Sequence, residues 1–335
     1  MYKLGILYGG KSTEHDASIK SEENFCKNLS EFDIVDKIFI DRDGNIFINN
    51  ESVTCGELLN TISSKKDVFY LNLLHGTEGE DGEWSGIFDI LNIRGSFENV
   101  LTSSLLMNKF EQSMIVKQTI TKIKIPKSVI VNYLDNEEIR YKKILSLKCS
   151  NIILKPNSMG ASHFTFHYNS IDKQIILEDL KKIFEYDDNV IVQEFINGEE
   201  YTCGVYNTVD GCITLPIIHV KANNQDFLDH KTKHNKGSSQ IDFNNFKQEK
   251  IIKEISNQLF KLFNIKIMCR FDFIVSKNKI YFLEGNLIPG FSNGSAFPMM
   301  LKQANISLNS FIKNIIEYKN SLRLKNKCLP YEIND

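Results

Sequence analysis

Two apolar runs in the first hundred residues each end in a polar loop that carries glycines. Residues 4–8 (LGILY) are followed by a diglycine, and residues 68–74 (VFYLNLL) by the sequence HGTEGEDG. Continuous apolar runs of this length are typical of strands buried in a parallel sheet. Segments with helical spacing follow, over 18–29 and 84–91. The alternation predicts an α/β domain over residues 1–100, with ligands at the carboxyl ends of its strands.

The remainder of the chain shows more strand signals than helix signals. A long polar loop rich in Asp, Lys and His interrupts it, and loops of this length within a compact domain are usually functional lids or disordered. The predicted ranges are helix 105–118, strands 128–131, 152–156, 190–195 and 201–206, loop 223–239, helix 246–262, a hairpin of 267–275 and 279–283, and helix 298–318.

Composition is that of an ordinary globular protein. Of the 335 residues, 42% are hydrophobic, and the formal net charge is −2. This balance gives no general attraction to nucleic acid or to an anionic membrane, and no apolar run approaches the roughly 18 residues of a spanning helix. The seven cysteines are scattered without a C-x-x-C pair, which indicates reduced thiols. We therefore expect a cytoplasmic protein with neither nucleic acid nor membrane as a partner.

The opening segment also matches the Walker A pattern G-x-x-x-x-G-K-[ST], in the residues GILYGGKS at 5–12. A phosphate-binding loop needs a strand before its first glycine and a polar loop between the two glycines. Here only four residues precede Gly5, and Ile6, Leu7 and Tyr8 continue an apolar strand. We interpret the match as fortuitous, and the segment as a strand, a diglycine turn and the start of a helix.

Charged side chains alternate with apolar ones in the predicted hairpin. Arg270 and Asp272 share one face of its first strand, and Glu284 and Asn286 share a face at the end of its second. Because both strands are otherwise apolar, these side chains are expected to point into a site. Carboxylate and amide oxygens that converge in this way are ligands for Mg²⁺, which completes its octahedron with water and phosphate oxygens.

Three lysines and one histidine are weaker candidates on their own. Lys155 ends an apolar strand in IILKP, where a cation can contact a phosphate group. Lys109 lies in a predicted helix and Lys233 in the long loop, and each by itself is an ordinary surface lysine. His75 follows the second apolar run, and either a carboxylate contact or a hydrogen-bonded loop histidine fits it.

Six short motifs occur in a fixed order along the chain. They are G-G-x-S-x-E at 9–14, H-G-x-x-G-E-D-G at 75–82, K-P at 155–156, Q-E-F-I-x-G-x-E at 193–200, R-x-D at 270–272 and E-x-N-x-x-P-G at 284–290. In this order they resemble the motifs of the D-alanine–D-alanine ligase family, within the ATP-grasp superfamily. The second and the last are the most specific, and the resemblance spans roughly residues 4–300.

The resemblance implies an ATP-grasp fold, α/β and α+β, with an N-terminal Rossmann-like domain. Its domains would be residues 1–100, 101–190 and 191–335, the last with lid loop 223–239. ATP would lie between two antiparallel sheets and phosphorylate the carboxylate of a first D-amino acid, and the amine of a second would attack the acyl phosphate. The implied product is D-alanyl-D-alanine for peptidoglycan precursors. ATP and two Mg²⁺ ions are the implied cofactors, amino acids the substrates and a homodimer a common assembly.

The resemblance also implies three groups of site residues. The groups that contact the amino acids or act in catalysis are Glu14, His75, His234, Arg270, Ser295, Ala296 and the N–H of Gly290. The contacts to ATP are Lys109, Lys155, Gln193, Glu194, Ile196, Glu200 and Lys233. The Mg²⁺ ligands are Asp272, Glu284 and Asn286.

The chain departs from the family pattern at several site positions. The glycine- and serine-rich loop reads GASHF at 160–164, so Ala161 replaces a serine and Phe164 a glycine. We expect this loop to be stiffer, because a residue other than glycine does not reach a positive φ cheaply. The serine link that usually joins Glu14 to the lid tyrosine, here His234, cannot form through Ala161. Gln193 replaces a glutamate, but its amide oxygen can still accept a hydrogen bond from adenine.

Other functions stay open at this point. Ala296 replaces a larger residue, so the second substrate could be D-serine, D-lactate or another amino acid, or the ligase could use no D-alanine at all. The altered loop is compatible with a nucleotide-binding protein without catalytic activity. An NAD-dependent oxidoreductase would need G-x-G-x-x-G after the first strand, where the chain has GGKS. A P-loop NTPase would also need a second metal-binding aspartate after an apolar strand, and none is recognisable in the right order.

Overall fold

The computed structural model describes residues 1–222, 239–243 and 246–322. Of the loop predicted at 223–239, all but the last residue lies outside the described residues. Lys233 and His234, two of the predicted site residues, lie there as well.

The N-terminal region is an α/β layer built on a mixed sheet, in which two of the four strand pairs are parallel. Its elements are β1 (Tyr2–Gly9), α1 (His15–Asn28), β2 (Phe32–Ile40), β3 (Ile46–Ile48), β4 (Glu51–Val53), α2 (Cys55–Ser64), β5 (Val68–Asn72) and α3 (Glu83–Ile90). The strand order is β4-β3-β2-β1-β5, and β1 runs parallel to both β2 and β5. Because Leu7 of β1 is opposite Asn72 of β5, the glycine-bearing loops after these two strands leave the sheet at the same edge.

Two antiparallel sheets make up the rest of the described chain. The elements of the first region are α4 (Val100–Met107), α5 (Lys109–Thr119), β6 (Ser128–Asn132), α6 (Glu137–Ser146), β7 (Ile152–Pro156), β8 (Phe166–Tyr168), α7 (Lys173–Ile183) and β9 (Asn189–Glu194). Its strands follow the order β6-β9-β7-β8. The extents of the three predicted domains stay a prediction.

The second antiparallel sheet carries the predicted hairpin. Its region contains β10 (Glu199–Thr208), β11 (Gly211–Thr214), β12 (Ile218–Ala222), β13 (Ser239–Asp242), α8 (Glu249–Leu262), β14 (Met268–Ser276), β15 (Lys279–Asn286), α9 (Ala296–Gln303) and α10 (Leu308–Ser321). The order is β13-β12-β10-β14-β15, with β11 paired to β10. The hairpin is therefore the β14–β15 pair at one side of this sheet.

Two helices predicted as continuous are each interrupted. The segment 105–118 is divided at Asn108, whose extended backbone (φ −92°, ψ 101°) ends α4 before α5 begins. The Asn157 amide donates to Asn108 Oδ1 at 3.0 Å, and the Lys109 N–H donates to the Asn157 carbonyl at 3.0 Å. The segment 298–318 is divided before Ser307, which caps α10 by accepting from Ser310 N–H. Neither interruption includes the Pro or Gly that usually marks a helix end.

Side chains of the first antiparallel sheet point alternately into a core on one face and into a cavity on the other. Val190 and Val192 of β9 belong to the core beneath α6 and α7. Gln193 of β9 pairs with Ile153 of β7, and both line a cavity on the opposite face, where the second antiparallel sheet lies. Because successive side chains point to opposite faces, the same strands build a core and one wall of a cavity.

A buried carboxylate joins the N-terminal half to the second antiparallel sheet. Glu98, which is 6% exposed, accepts hydrogen bonds from the backbone N–H groups of Lys266 and Ile267, just before β14. These bonds hold the start of β14 against the segment that leads into α4. They help to fix how the two regions meet.

Replacing Glu98 with alanine is expected to lower the free energy of unfolding by about 3 kcal/mol, because two buried N–H donors lose their acceptor. Chemical denaturation monitored by circular dichroism measures the loss. Glu98→Gln is the matched control, since its amide oxygen still satisfies one donor and should lose roughly half as much. Equal stability of Glu98→Ala and the wild type would contradict the joining role.

Candidate active site

Two adjoining cavities lie where the three sheets meet. The larger, of about 1000 Å³, lies between the N-terminal loops and the second antiparallel sheet. The smaller, of about 450 Å³, lies between the two antiparallel sheets. Lys109, Glu200, Glu284 and the loop 160–163 line both cavities. These shared residues mark the boundary across which a group could pass from one cavity to the other.

The smaller cavity brings together most of the residues predicted to contact ATP. They are Lys109, Lys155, Gln193, Ile196 and Glu200, with Ile274 and Leu283 as apolar lining from the opposite sheet. Glu194 also lines this cavity, but its Oε1 accepts from the Lys127 N–H at 2.8 Å. The Glu194 carboxylate and the Glu194 N–H are therefore both engaged with the backbone of Lys127.

The hairpin brings the predicted metal ligands together at the cavity boundary. Asp272 pairs with Glu284, and Arg270 with Asn286, across β14 and β15. Arg270 donates to both Asp272 oxygens, from Nε at 3.0 Å and from a terminal nitrogen at 2.9 Å. Thr202 Oγ1 donates to Asp272 Oδ1 at 2.5 Å, which adds a polar contact that the sequence reasoning did not identify.

Positive charge balances these carboxylates. Burial alone would lower the pKa of Arg270, but Asp272 and the nearby Glu284 and Glu200 raise it above its ordinary value, so the guanidinium stays charged. Lys109 Nζ lies 3.5 Å from Glu284 Oε2 and donates to the Met159 carbonyl at 2.6 Å. The boundary therefore combines fixed cations and carboxylates, which suits the handling of phosphate and metal charge.

Glu14 lies in the larger cavity, beneath two glycines. A Cβ on Gly160 would lie 2.0 Å from the Glu14 Oε2 atom, so the Glu14 carboxylate would have to move if a larger residue replaced this glycine. Burial raises the pKa of Glu14 above its ordinary value, and Lys109 and Arg270 offset part of that effect. A partly buried carboxylate that faces a cavity is suited to an ammonium group of a ligand.

His75 and Glu80 hold one backbone segment from both sides. His75 Nδ1 lies 2.9 Å from the Ile288 carbonyl, and Glu80 Oε1 accepts from the Ile288 N–H at 2.9 Å. Burial lowers the pKa of His75, so the neutral ring that donates from Nδ1 is favoured. Burial, followed by the Glu14 charge, raises the pKa of Glu80. Sequence reasoning gave Glu80 no role, although it stands within the H-G-x-x-G-E-D-G motif.

The segment after β15 completes the larger cavity. Gly290, Ser295 and Ala296 all line it. The Ser295 and Ser292 hydroxyls lie 2.7 Å apart, and Ser295 directly precedes α9, of which Ala296 is the first residue. Backbone N–H groups at the start of a helix favour an anion, so a substrate carboxylate fits this end of the cavity.

The comparisons with known proteins agree with this geometry. A family model described as the D-Ala–D-Ala ligase C-terminus matches residues 121–317. D-alanine–D-alanine ligase B of Clostridium perfringens is 31% identical, over 96% of this chain and 100% of its own length. The corresponding protein of Clostridium tetani is 30% identical, over 94% of this chain and 92% of its own. The chain belongs to the D-alanine–D-alanine ligase family.

Solved structures of the family share the whole architecture. The VanG D-Ala:D-Ser ligase from Enterococcus faecalis is 28% identical with a TM-score of 0.78, covering 94% of this chain and 99% of that one. The Bacillus anthracis D-alanine–D-alanine ligase complexed with ATP is 24% identical with a TM-score of 0.76, covering 96% and 98%. The predicted ATP-grasp fold with its N-terminal Rossmann-like domain is confirmed. In the part of this ligase that the structure describes, every helix is too short or too polar to cross a bilayer.

The loop between β7 and β8 of this ligase reaches the conformation that its sequence was expected to resist. Ala161, Ser162 and Phe164 have φ values of 52°, 56° and 51°. The loop therefore adopts positive φ without glycine, and the expected stiffness stays a prediction. Phe164 stacks on Tyr186 with ring centroids 4.8 Å apart, a contact that offsets the backbone cost and that glycine could not make.

Replacing Glu14 with glutamine is expected to stabilise this ligase increasingly as the pH rises. The pKa of Glu14 is raised in the folded state, so its ionisation costs folding free energy as the pH climbs from 4.5 through the raised value. Glutamine carries no such cost. The measurement is the free energy of unfolding of both proteins from about pH 4 to about pH 8.

Glu57→Gln provides a control in which the change in unfolding free energy should depend on pH with the opposite sign. Backbone and side-chain hydrogen bonds from Thr54 lower the pKa of Glu57, so its carboxylate contributes stability that is lost as the pH falls. Its removal should therefore destabilise the protein more at high pH. A Glu14→Gln difference that stays constant with pH would contradict a raised pKa at this position.

Proposed function

We propose that this protein is an ATP-dependent ligase that joins two D-alanine molecules through an acyl phosphate, for peptidoglycan precursors. The observation that carries the proposal is the pair of adjoining cavities with Lys109 and Glu284 at their shared boundary. One cavity would take ATP and the other the two amino acids. The γ-phosphate would then meet the first substrate carboxylate at the boundary.

The proposed reaction assigns a role to each end of the larger cavity. Glu14 would bind the ammonium of the first D-alanine, and His75 would lie near its carboxylate. One carboxylate oxygen attacks the γ-phosphorus, and ADP leaves. The second amine then attacks the acyl carbon, and phosphate leaves with the carboxylate oxygen. Arg270 and the Gly290 N–H would stabilise the developing oxyanion, and Ser295 would contact the second carboxylate.

Mg²⁺ is proposed as the metal that would accompany ATP. Asp272, Glu284 and Asn286 are hard oxygen donors, as Mg²⁺ requires, and they are adjacent across the hairpin. Among the described residues, no cluster of three or more His, Cys, Asp or Glu could hold a metal alone. Two carboxylates and one amide fill only part of an octahedron, so the donor set fits a metal that also takes phosphate oxygens. Bound Mg²⁺ would neutralise charge on the transferred phosphoryl group.

A ligase with D-serine as second substrate is the other candidate. The D-Ala:D-Ser ligase from Enterococcus faecalis is similar to this chain along almost its full length. Ala296, at the start of α9, is smaller than the residue typical of the family and lines the cavity. A small side chain there would leave room for the extra hydroxyl of D-serine. The same product assay also tests D-lactate, and amino acids other than D-serine, as the second substrate.

Product masses measured with ATP and a panel of D- and L-amino acids, D-lactate included, separate these candidates. D-alanine alone should give D-alanyl-D-alanine with one ADP released for each dipeptide. Stimulation of ADP release only by D-alanine with D-serine, or with another partner, would replace the main proposal by the alternative. Absence of any product with bound ATP would favour a nucleotide-binding protein without ligase activity.

We also propose that the enzyme acts in the cytoplasm on small-molecule substrates. Its near-neutral charge supports the absence of a nucleic-acid partner. A homodimer is proposed from the family resemblance, and sedimentation velocity of the purified chain tests it.

A further inference from the structure

Gln193 stands at the inner wall of the smaller cavity. It is 5% exposed and lies near the end of β9, opposite Ser128 on one neighbouring strand and Ile153 on the other. Ile153 lines the same cavity, whereas Val192, the residue before Gln193, belongs to the core on the other face. The side chain of Gln193 therefore projects into the space proposed for the nucleotide.

The amide of Gln193 is available to a ligand. Within the described residues, this side chain has no hydrogen-bond partner. The neighbouring groups are already engaged, since the Glu194 N–H donates to Lys127 and the Phe195 N–H to Asn151. The amide lines the cavity, so a ligand bound there can pair with both its donor and its acceptor.

An amide and a carboxylate form different hydrogen bonds with a purine. A carboxylate only accepts hydrogen bonds, so it pairs with the 6-amino group of adenine and opposes the 6-oxo group of hypoxanthine or guanine. An amide accepts through its oxygen and donates through its nitrogen, and a rotation of the terminal group exchanges the two. The glutamine in place of the usual glutamate thus removes the repulsion between a carboxylate and the oxo group at position 6.

We propose that Gln193 allows the nucleotide cavity to accept purine nucleoside triphosphates with either an amino or an oxo group at position 6. This inference rests on the proposed function, in which the smaller cavity binds ATP. Gln193 is a specificity-determining residue in this account.

Competition binding against a fluorescent ATP analogue tests the proposal without relying on ligation. The competitors are ATP and inosine triphosphate, which carries an oxo group at position 6. The wild type should bind the two with dissociation constants within about tenfold of each other, and Gln193→Glu should increase the preference for ATP at least about tenfold. A preference that changes less than this would overturn the proposal.

Gln193→Met is the matched control, because it keeps the length of the side chain and removes both hydrogen-bonding atoms. It should weaken the binding of both nucleotides and leave their ratio within about threefold of the wild type. A selective loss of ATP binding in this variant would show that Gln193 forms a hydrogen bond only with the 6-amino group. That result would also overturn the inference. Failure of the wild type to bind ATP at all would instead refute the proposed function.

Discussion

Replacing Glu284 with glutamine should reduce dipeptide formation by about a thousandfold, while the folded structure is retained. Glu284 faces Asp272 across the hairpin and lies 3.5 Å from Lys109 at the boundary of the two cavities. The amide has nearly the same shape but no negative charge, so it would hold a metal poorly and leave Lys109 without its counter-charge. ADP release and dipeptide formation at saturating substrate measure the loss.

The control for this prediction is Glu254→Gln. Glu254 is an exposed carboxylate of α8, 3.7 Å from the Lys122 ammonium, and pairs of this kind contribute less than about 1 kcal/mol. Ligation by this variant should match the wild type. If Glu284→Gln lost less than about tenfold of the activity, neither the metal nor the phosphoryl group could depend on this carboxylate. An unchanged biological activity in the absence of ligation would favour a role in nucleotide binding alone.

Replacing Arg270 with alanine should affect both catalysis and stability. Asp272 is 4% exposed and accepts two hydrogen bonds from this guanidinium, so removal of the arginine leaves a buried carboxylate poorly compensated. The expected cost is about 3 kcal/mol of unfolding free energy. Loss of a cation directed at the developing oxyanion should also lower kcat about a thousandfold. Thermal unfolding and steady-state kinetics measure the two effects separately.

Arg270→Lys distinguishes charge from geometry. Lysine keeps the positive charge but cannot donate to both Asp272 oxygens from a planar group, so it should recover much of the stability and little of the rate. Lys173→Ala is the surface control, because its ion pair with Glu138 is exposed and should contribute little. Full activity of Arg270→Lys would show that the paired geometry is not required.

The sequence predicted the parts of the site that depend on strand periodicity. The alternation in β14 and β15 correctly predicted that Arg270, Asp272, Glu284 and Asn286 would meet, because side chains two residues apart share a face. The motif order predicted the fold. The parts that depend on distant contacts were not predictable in this way. Asn157 interrupts a helix at Asn108 from 49 residues away, and no local pattern indicates such a bond.

Glycine content alone did not predict the φ values in the loop between β7 and β8. Positive φ at residues other than glycine was expected to be costly, and the structure places Ala161 and Phe164 there. The compensation comes from Tyr186, which follows α7 and stacks on Phe164. Local backbone preferences alone therefore could not predict the conformation of this loop, because a tertiary contact contributes to it.

The contacts to Ile288 have a consequence for chimeric enzymes. His75 and Glu80 hold the carbonyl and the N–H of a residue more than 200 positions further along the chain. In a hybrid that exchanged only the first hundred residues with a relative, the residues at positions 75 and 80 would come from one protein and the segment around Ile288 from the other. Substrate preference should therefore transfer between relatives only when the segment around Ile288 is exchanged together with the N-terminal region.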